Sequence, residues 1–191
     1  MSGKLNLDYK ELATLSPFEL KNTLIDVAAT HHGPMLNAGR GNPNFLATIP
    51  RLGFFRLGDF AMIESENSWT YMPEGVGGFP QREGIEGRFD IFTHSNLNDP
   101  GVKFLRSALS FVRDHMGIDA GDFIHEMSVA ILGCTYPGPE RMLTITEQIV
   151  NHYIRKEMIG LHPFQGEFDL FAVEGGTAAM TYIFNSLKEN R

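Results

Sequence analysis

The chain has 191 residues, 42% of them hydrophobic and 20% charged, which is enough for one globular domain. Its 16 Lys and Arg against 23 Asp and Glu give a net charge of −7, and the scattered basic residues argue against a nucleic-acid surface. The single cysteine, Cys134, excludes an internal disulfide, and no segment approaches the roughly 20 apolar residues of a membrane span. We therefore predict a cytoplasmic protein without a nucleic-acid or membrane partner.

Helix start and stop signals follow one another along most of the chain. Ser16, Pro17 and Glu19 predict a capping box that opens the first clear helix. Further helices are predicted from Thr48 to about Glu66, from Gly84 to near His94, from Asp99 to Gly117, from Asp119 to Gly133, and from a second capping box at Thr144 and Glu147 onward. We therefore predict a predominantly α chain with about six to seven helices.

The only clear strand is predicted near 168–173, where Phe168–Val173 is an apolar run. It leads through Glu174, Gly175, Gly176 and Thr177 into a last helix. A strand that turns through two glycines into a helix leaves N–H groups aimed outward, and these suit a phosphate. The turn lacks the lysine of a Walker A loop and the third glycine of a dinucleotide fingerprint. It therefore suits a single phosphate monoester, or else is a connection without a ligand.

A second irregular loop, Asn37 to Asn44, combines backbone N–H groups with an arginine and several amide side chains. This mixture suits a carboxylate, although a plain loop between two helices has the same composition. The seven histidines include no pair at i, i+4 spacing, and there is no cysteine pair. No metal site is predicted.

Four segments carry a resemblance to a known family: 15–21, 35–48, 83–89 and 171–180. In this order they closely resemble the N-terminal part of the aspartate 4-decarboxylases, also called aspartate β-decarboxylases. These are pyridoxal-phosphate enzymes of the aspartate aminotransferase superfamily, fold type I. The resemblance implies the N-terminal portion of an α/β transferase. It divides the chain into an N-terminal segment with the substrate-side loop (1–50), a helical region (51–167) and the start of the cofactor-binding large domain (168–191).

The resemblance also implies roles for both loops. Gly41 would approach the α-carboxylate of the substrate aspartate, with Arg40 and Asn42 beside it. The cofactor phosphate would be held by Gly175, Gly176 and Thr177. The superfamily also uses a tyrosine from the neighbouring subunit on that phosphate, and Tyr71 is a candidate, which implies a homo-oligomer.

The family's Schiff-base lysine, its aspartate on the pyridine nitrogen and its substrate-clamping arginine would all lie beyond Thr177. We therefore expect no catalytic residue in this chain and no covalently held cofactor. The implied function is a portion of an enzyme that converts L-aspartate to L-alanine and CO2, with transamination as side chemistry, inactive as 191 residues alone. Two alternatives stay open: a non-catalytic remnant or oligomerisation module with an anion site, and an unrelated helical binding module with a phosphate-sized site.

Overall fold

The computed structural model describes residues 9–30, 45–136, 138, 141–160 and 166–189. Over these residues the chain forms eight α-helices and no strand. The predominantly α fold class is therefore confirmed for the described part of the chain, with one helix more than the upper predicted number. The chain divides into two compact units, Met1–Leu46 and Ala47–Arg191.

The first unit contains α1 (Tyr9–Leu12) and α2 (Pro17–Ala29). The predicted capping box at the start of α2 is confirmed. The Glu19 amide donates to Ser16 Oγ at 3.3 Å, and the Ser16 amide donates to the Glu19 carboxylate at 2.9 Å. These bonds to Ser16 hold the pKa of Glu19 below its usual range. Two of the N–H groups that a helix start leaves unpaired are thus satisfied.

The second unit contains six helices: α3 (Thr48–Ser68), α4 (Ile85–His94), α5 (Pro100–Met116), α6 (Ala120–Ile131), α7 (Thr144–Tyr153) and α8 (Gly176–Glu189). A π-helical segment, Ile154–Met158, continues α7. The predicted caps are confirmed: Asp99 and Asp119 cap the starts of α5 and α6, and Gly117 and Gly133 follow their ends with φ of 68° and 71°. None of the helices described is both long and apolar enough to cross a membrane.

The core of the second unit lies where α3, α4, α5 and α6 meet. Its buried side chains are Phe60, Ile85, Phe89, Leu105 and Ile124. The rings of Phe60 and Phe89 meet edge to face, with centroids 5.1 Å apart and planes at 87°. This cluster packs the four helices against one another.

Helices α3 and α5 cross at two glycines. A Cβ added to Gly101 would lie 2.5 Å from the backbone carbon of Leu52, and one added to Gly53 would lie 2.6 Å from the Phe104 ring. Asp99 fixes the same crossing, because its carboxylate accepts from Arg56 of α3 at 2.8 and 2.9 Å while capping α5. The closeness of the two backbones therefore depends on the absence of side chains at the contact.

This double role makes Asp99 a source of acid sensitivity. The hydrogen bond from Arg56, followed by the one from the Val102 amide, lowers the pKa of Asp99 from its ordinary 3.8. A carboxyl whose pKa is lower in the folded state contributes stability above its unfolded pKa and loses it as pH falls through the folded value. We expect Asp99→Asn to lower the free energy of unfolding at neutral pH and to flatten its decline below about pH 4. Urea denaturation from pH 3 to 7 measures both effects.

The matched control is Asp59→Asn, because Asp59 also accepts from Arg56 but does not contact the start of α5. We expect this variant to keep the acid dependence of the unmodified chain. An equally steep decline in the Asp99 variant would contradict the role given to Asp99.

The start of α7 differs from the prediction. Helix α7 begins at Thr144 itself, so the predicted box between Thr144 and Glu147 does not form. The carboxylate of Glu126, from α6, instead accepts from the amides of Ile145 and Thr146 at 2.9 to 3.1 Å. Glu147 is engaged by Arg141 at 3.1 Å. A carboxylate from another helix thus satisfies the N–H groups that the local sequence was expected to satisfy.

The predicted strand at 168–173 is not confirmed, since these residues have no regular secondary structure. Phe171, within this apolar run, is 65% exposed. A strand requires a hydrogen-bonded neighbour, and the backbone contact of this segment with an earlier part of the chain is one bond of 3.4 Å, from the Ala172 amide to the Arg141 carbonyl. An apolar sequence pattern alone therefore does not provide the neighbouring strand that a β-strand needs.

Candidate functional site

The glycine turn before α8 has the geometry expected of an anion-binding helix start. Gly175 has φ of 92°, in the region that favours glycine, and its amide donates to the Val173 carbonyl at 2.8 Å. Helix α8 begins at the next residue, Gly176, and the first helical bond in this region joins the Ala179 amide to the Gly175 carbonyl at 3.1 Å. The amides of Gly176, Thr177 and Ala178 therefore have no acceptor within the helix.

The space around this turn is open. A Cβ added to Gly175 or Gly176 would meet no atom within 4 Å, and Thr177 is exposed. The Thr177 carbonyl accepts from the Thr181 hydroxyl at 3.0 Å. Among the described residues the Thr177 hydroxyl has no hydrogen-bond partner, and it lies beside the amides that the helix leaves unpaired. Several donors at the positive end of a helix dipole fit a phosphate group.

Arg141 attaches the segment before the turn to α7. One of its nitrogens forms an ion pair with Asp169, another donates to Glu147 at 3.1 Å, and its guanidinium lies 5.8 Å from the centre of the Phe171 ring. The hydrogen bond with Asp169 is the main reason that the pKa of Arg141 is raised. Since Arg141 engages both carboxylates, it positions the segment before the turn against α7. No pattern along the chain marked this residue, whose partners lie 6 and 28 positions away.

A groove lies between residues 171–174 and α8. Its volume is about 780 Å³. The lining is mainly apolar and includes Arg141, Phe171, Val173, Tyr182, Ile183 and Leu187. This volume is in the range of small-molecule sites, about 300 to 1,000 Å³. An apolar groove beside free helical amides suits a ligand that has one anionic group and one flat apolar part.

Tyr71 lies apart from the turn. It is 78% exposed, its ring centroid lies 6.5 Å from that of Trp69, and it does not line the groove beside α8. The loop after it is fixed to the end of α3, because the Ser65 hydroxyl donates to the Gly78 carbonyl at 2.8 Å and the Gly78 amide donates to the Ser65 carbonyl at 2.9 Å. Within this chain, Tyr71 and Thr177 are thus not brought together.

The predicted substrate loop, with Arg40, Gly41 and Asn42, lies outside the described residues. Its role stays a prediction. Of the predicted site residues, the structure therefore brings together the three of the glycine turn, Gly175, Gly176 and Thr177, at the start of one helix.

Comparison with known proteins finds similarity to an enzyme with aminotransferase and decarboxylase activities. It is the bifunctional aspartate aminotransferase and L-aspartate beta-decarboxylase of a Pseudomonas species, 58% identical over 185 residues, which are 96% of this chain. The chain spans about a third of the length of that relative, 35%, in its N-terminal part. No known family profile matches the chain. The resemblance expected from the four segments is confirmed.

Proposed function

We propose that this chain is the N-terminal portion of a pyridoxal-phosphate enzyme that acts on aspartate as β-decarboxylase and aminotransferase. The observation that carries the proposal is the open glycine turn at the start of α8, in a chain 58% identical to an enzyme of that description. A phosphate site alone fits many ligands. Its combination with this similarity favours pyridoxal phosphate, and an α/β fold for the complete enzyme.

In this proposal the chain binds and orients the cofactor and the substrate. Pyridoxal phosphate supplies the electron sink that bond cleavage beside the amino-bearing carbon requires. The amides of Gly176 and Thr177 and the Thr177 hydroxyl would hold its phosphate, and Gly175, whose own amide is bonded to the Val173 carbonyl, would shape the turn that presents them. Arg40, Gly41 and Asn42 contribute to binding the substrate carboxylate, and Tyr71 is offered to a neighbouring subunit.

Residues 1–191 alone are proposed to be inactive. Lys188, the lysine of α8, lies eleven residues beyond Thr177, which is about 16 Å along a helix. Arg141 already engages two carboxylates, so we do not assign it the role of substrate clamp. The covalent attachment of the cofactor and the catalysis are therefore assigned to the part of the enzyme that this chain does not span.

The exposed face of α8 supports the proposal of a homo-oligomer or of a covering part of the same enzyme. Its large apolar side chains lie about half exposed or more: Met180, Tyr182, Ile183, Phe184 and Leu187. Exposed apolar patches of this kind mark contact surfaces in soluble proteins. The Tyr71 proposal requires the partner to be a second copy.

Pyridoxine phosphate tests the proposed phosphate site, because it lacks the aldehyde and cannot bond covalently with surface lysines. We expect residues 1–191 to bind it at least tenfold more tightly than pyridoxine, as measured by the intrinsic fluorescence of the ligand. Thr177→Val should weaken binding about tenfold, since one hydrogen bond to a charged group is worth about 1.5 to 3 kcal/mol.

Thr181→Val is the matched control, one turn further along α8, where the hydroxyl is already engaged by the Thr177 carbonyl. It should bind the ligand as the unmodified chain does. Equal binding of pyridoxine and its phosphate would contradict the site. Equal affinity for inorganic phosphate and pyridoxine phosphate would favour a plain anion module over the cofactor.

A further inference from the structure

A cleft unrelated to the glycine turn lies between α4 and α5. Its walls are built by two sets of residues with the same i, i+3, i+4, i+7 spacing: Glu86, Phe89, Asp90 and Thr93 from α4, and Arg106, Leu109, Ser110 and Arg113 from α5. This spacing places each set on one face of its helix, and the two faces lie opposite each other across the cleft. Phe89 and Thr93 are buried and form part of the floor.

The two walls carry opposite charges. The α4 wall is acidic through Glu86 and Asp90, and the α5 wall is basic through Arg106 and Arg113. Arg106 spans the gap: its Nη1 forms an ion pair with the Asp90 carboxylate at 3.4 Å and donates to the buried Thr93 hydroxyl at 3.0 Å. The two walls are therefore joined at this pair, and the four charged side chains of the cleft sum to no net charge.

Both walls keep unused hydrogen-bonding capacity. Among the described residues, the Nε and Nη2 groups of Arg106, the Ser110 hydroxyl and the Glu86 carboxylate have no hydrogen-bond partner. Arg113 is bonded to its neighbour Asp114 at 2.7 Å, and it does not form an ion pair with Glu86. Donors thus remain on the basic wall and acceptors on the acidic wall, with space between them.

The volume of the cleft, about 170 Å³, limits what can enter. An engineered cavity of about 150 Å³ holds benzene, which has six non-hydrogen atoms. We propose that this cleft binds a small zwitterionic α-amino acid of the size of alanine, with its carboxylate on Arg106 and Ser110 and its ammonium group on Glu86 and Asp90. The inference uses no residue of the glycine turn and does not depend on the proposed function.

A zwitterion fits better than an ion of either sign. A simple anion would meet the carboxylates of Glu86 and Asp90, and a simple cation would meet the guanidinium groups of Arg106 and Arg113. A molecule with both charges a few Å apart satisfies both walls at once. A guanidinium also matches a carboxylate with two parallel N–H bonds, which an ammonium group could not offer.

Titration of the 15N-labelled chain with L-alanine tests the inference by NMR. We expect saturable shifts confined to amides of α4 and α5, with a dissociation constant on the order of 1 mM. Acetate and methylammonium, each carrying one of the two charges, should bind at least tenfold more weakly. L-tryptophan should not bind, because its side chain exceeds the cleft. Acetate binding as tightly as alanine, or shifts that do not saturate or lie elsewhere, would overturn the proposal.

Variants separate the two walls. Arg106→Gln and Glu86→Gln should each weaken alanine binding at least tenfold, and Ser110→Leu should block it by filling the cleft from an exposed position. Arg51→Gln, at an exposed arginine of α3 bonded to the Ala47 carbonyl, should bind alanine normally. Unchanged affinity in both the Ser110 and the Glu86 variants would reject the site even if Arg106→Gln failed to fold.

Discussion

Replacing Arg88 by methionine is expected to destabilise the chain by about 3 to 5 kcal/mol, a large part of the stability of an ordinary domain. Arg88 is the partner of Glu64, which is 3% exposed, and its Nε donates to both carboxylate oxygens at 2.8 and 2.9 Å. Without the guanidinium, a buried carboxylate has no counter-charge. The same guanidinium also donates to the carbonyls of Gln81 and Glu83, so the loop before α4 loses two anchors.

Two controls isolate the buried charge. Arg113→Met removes an exposed arginine whose ion pair is with the adjacent Asp114, and we expect little change. The double variant Glu64→Leu, Arg88→Met removes both charges and should recover much of the loss. Denaturant unfolding measures all three variants. The explanation fails if the single Arg88 variant is no less stable than the Arg113 variant.

Replacing Gly101 by alanine is expected to destabilise the chain by up to about 3 kcal/mol. The added Cβ would lie 2.5 to 2.8 Å from backbone atoms of Leu52 and Gly53, and backbone atoms cannot rotate away. The higher helix propensity of alanine offsets at most about 1 kcal/mol of this loss, so the clash decides whether the free energy of unfolding falls or rises. The separation of α3 and α5 should increase, which thermal and denaturant unfolding would register as a lower midpoint.

Gly87→Ala provides the same substitution without the clash. A Cβ at Gly87, inside α4, would meet no atom within 4 Å, so we expect a gain of about 0.5 to 1 kcal/mol. Gly53→Ala should fall between the two, because its neighbour is the movable ring of Phe104. If Gly101→Ala and Gly87→Ala changed stability in the same direction, the backbone contact would not be limiting.

The sequence predicted those parts of the fold whose causes are local. The capping box at Ser16 and the aspartate caps at 99 and 119 depend on side chains within a few residues, and each forms. The glycine stops at 117 and 133 depend on a single residue that tolerates a positive φ, and they form too. The helix that opens at Thr144 was predicted, but its cap was not, because Glu126 comes from another helix. The strand at 168–173 failed for the same physical reason, since its formation depends on a partner that no local pattern specifies.

The features of the candidate site likewise divide into those with local causes and those that depend on distant residues. The glycine turn could be predicted from the sequence because a positive φ and a helix start need particular residues at adjacent positions. The role of Arg141 could not be predicted from the sequence, since it depends on the approach of Asp169, 28 residues away. The cleft between α4 and α5 could not be predicted either, because it depends on the packing of the two helices and neither wall has a sequence motif of its own.

The attachment of the glycine turn to α7 through Arg141 has a further consequence. The ion pair with Asp169 is solvent-accessible, with Asp169 68% exposed, and is therefore subject to screening as ions are added. The Debye length falls from about 8 Å at physiological ionic strength to about 3 Å at 1 M salt. Dilute buffer therefore strengthens the contact that holds the segment before the glycine turn, and concentrated salt weakens it, so we expect ionic strength to change how well ordered the phosphate site is before a ligand binds.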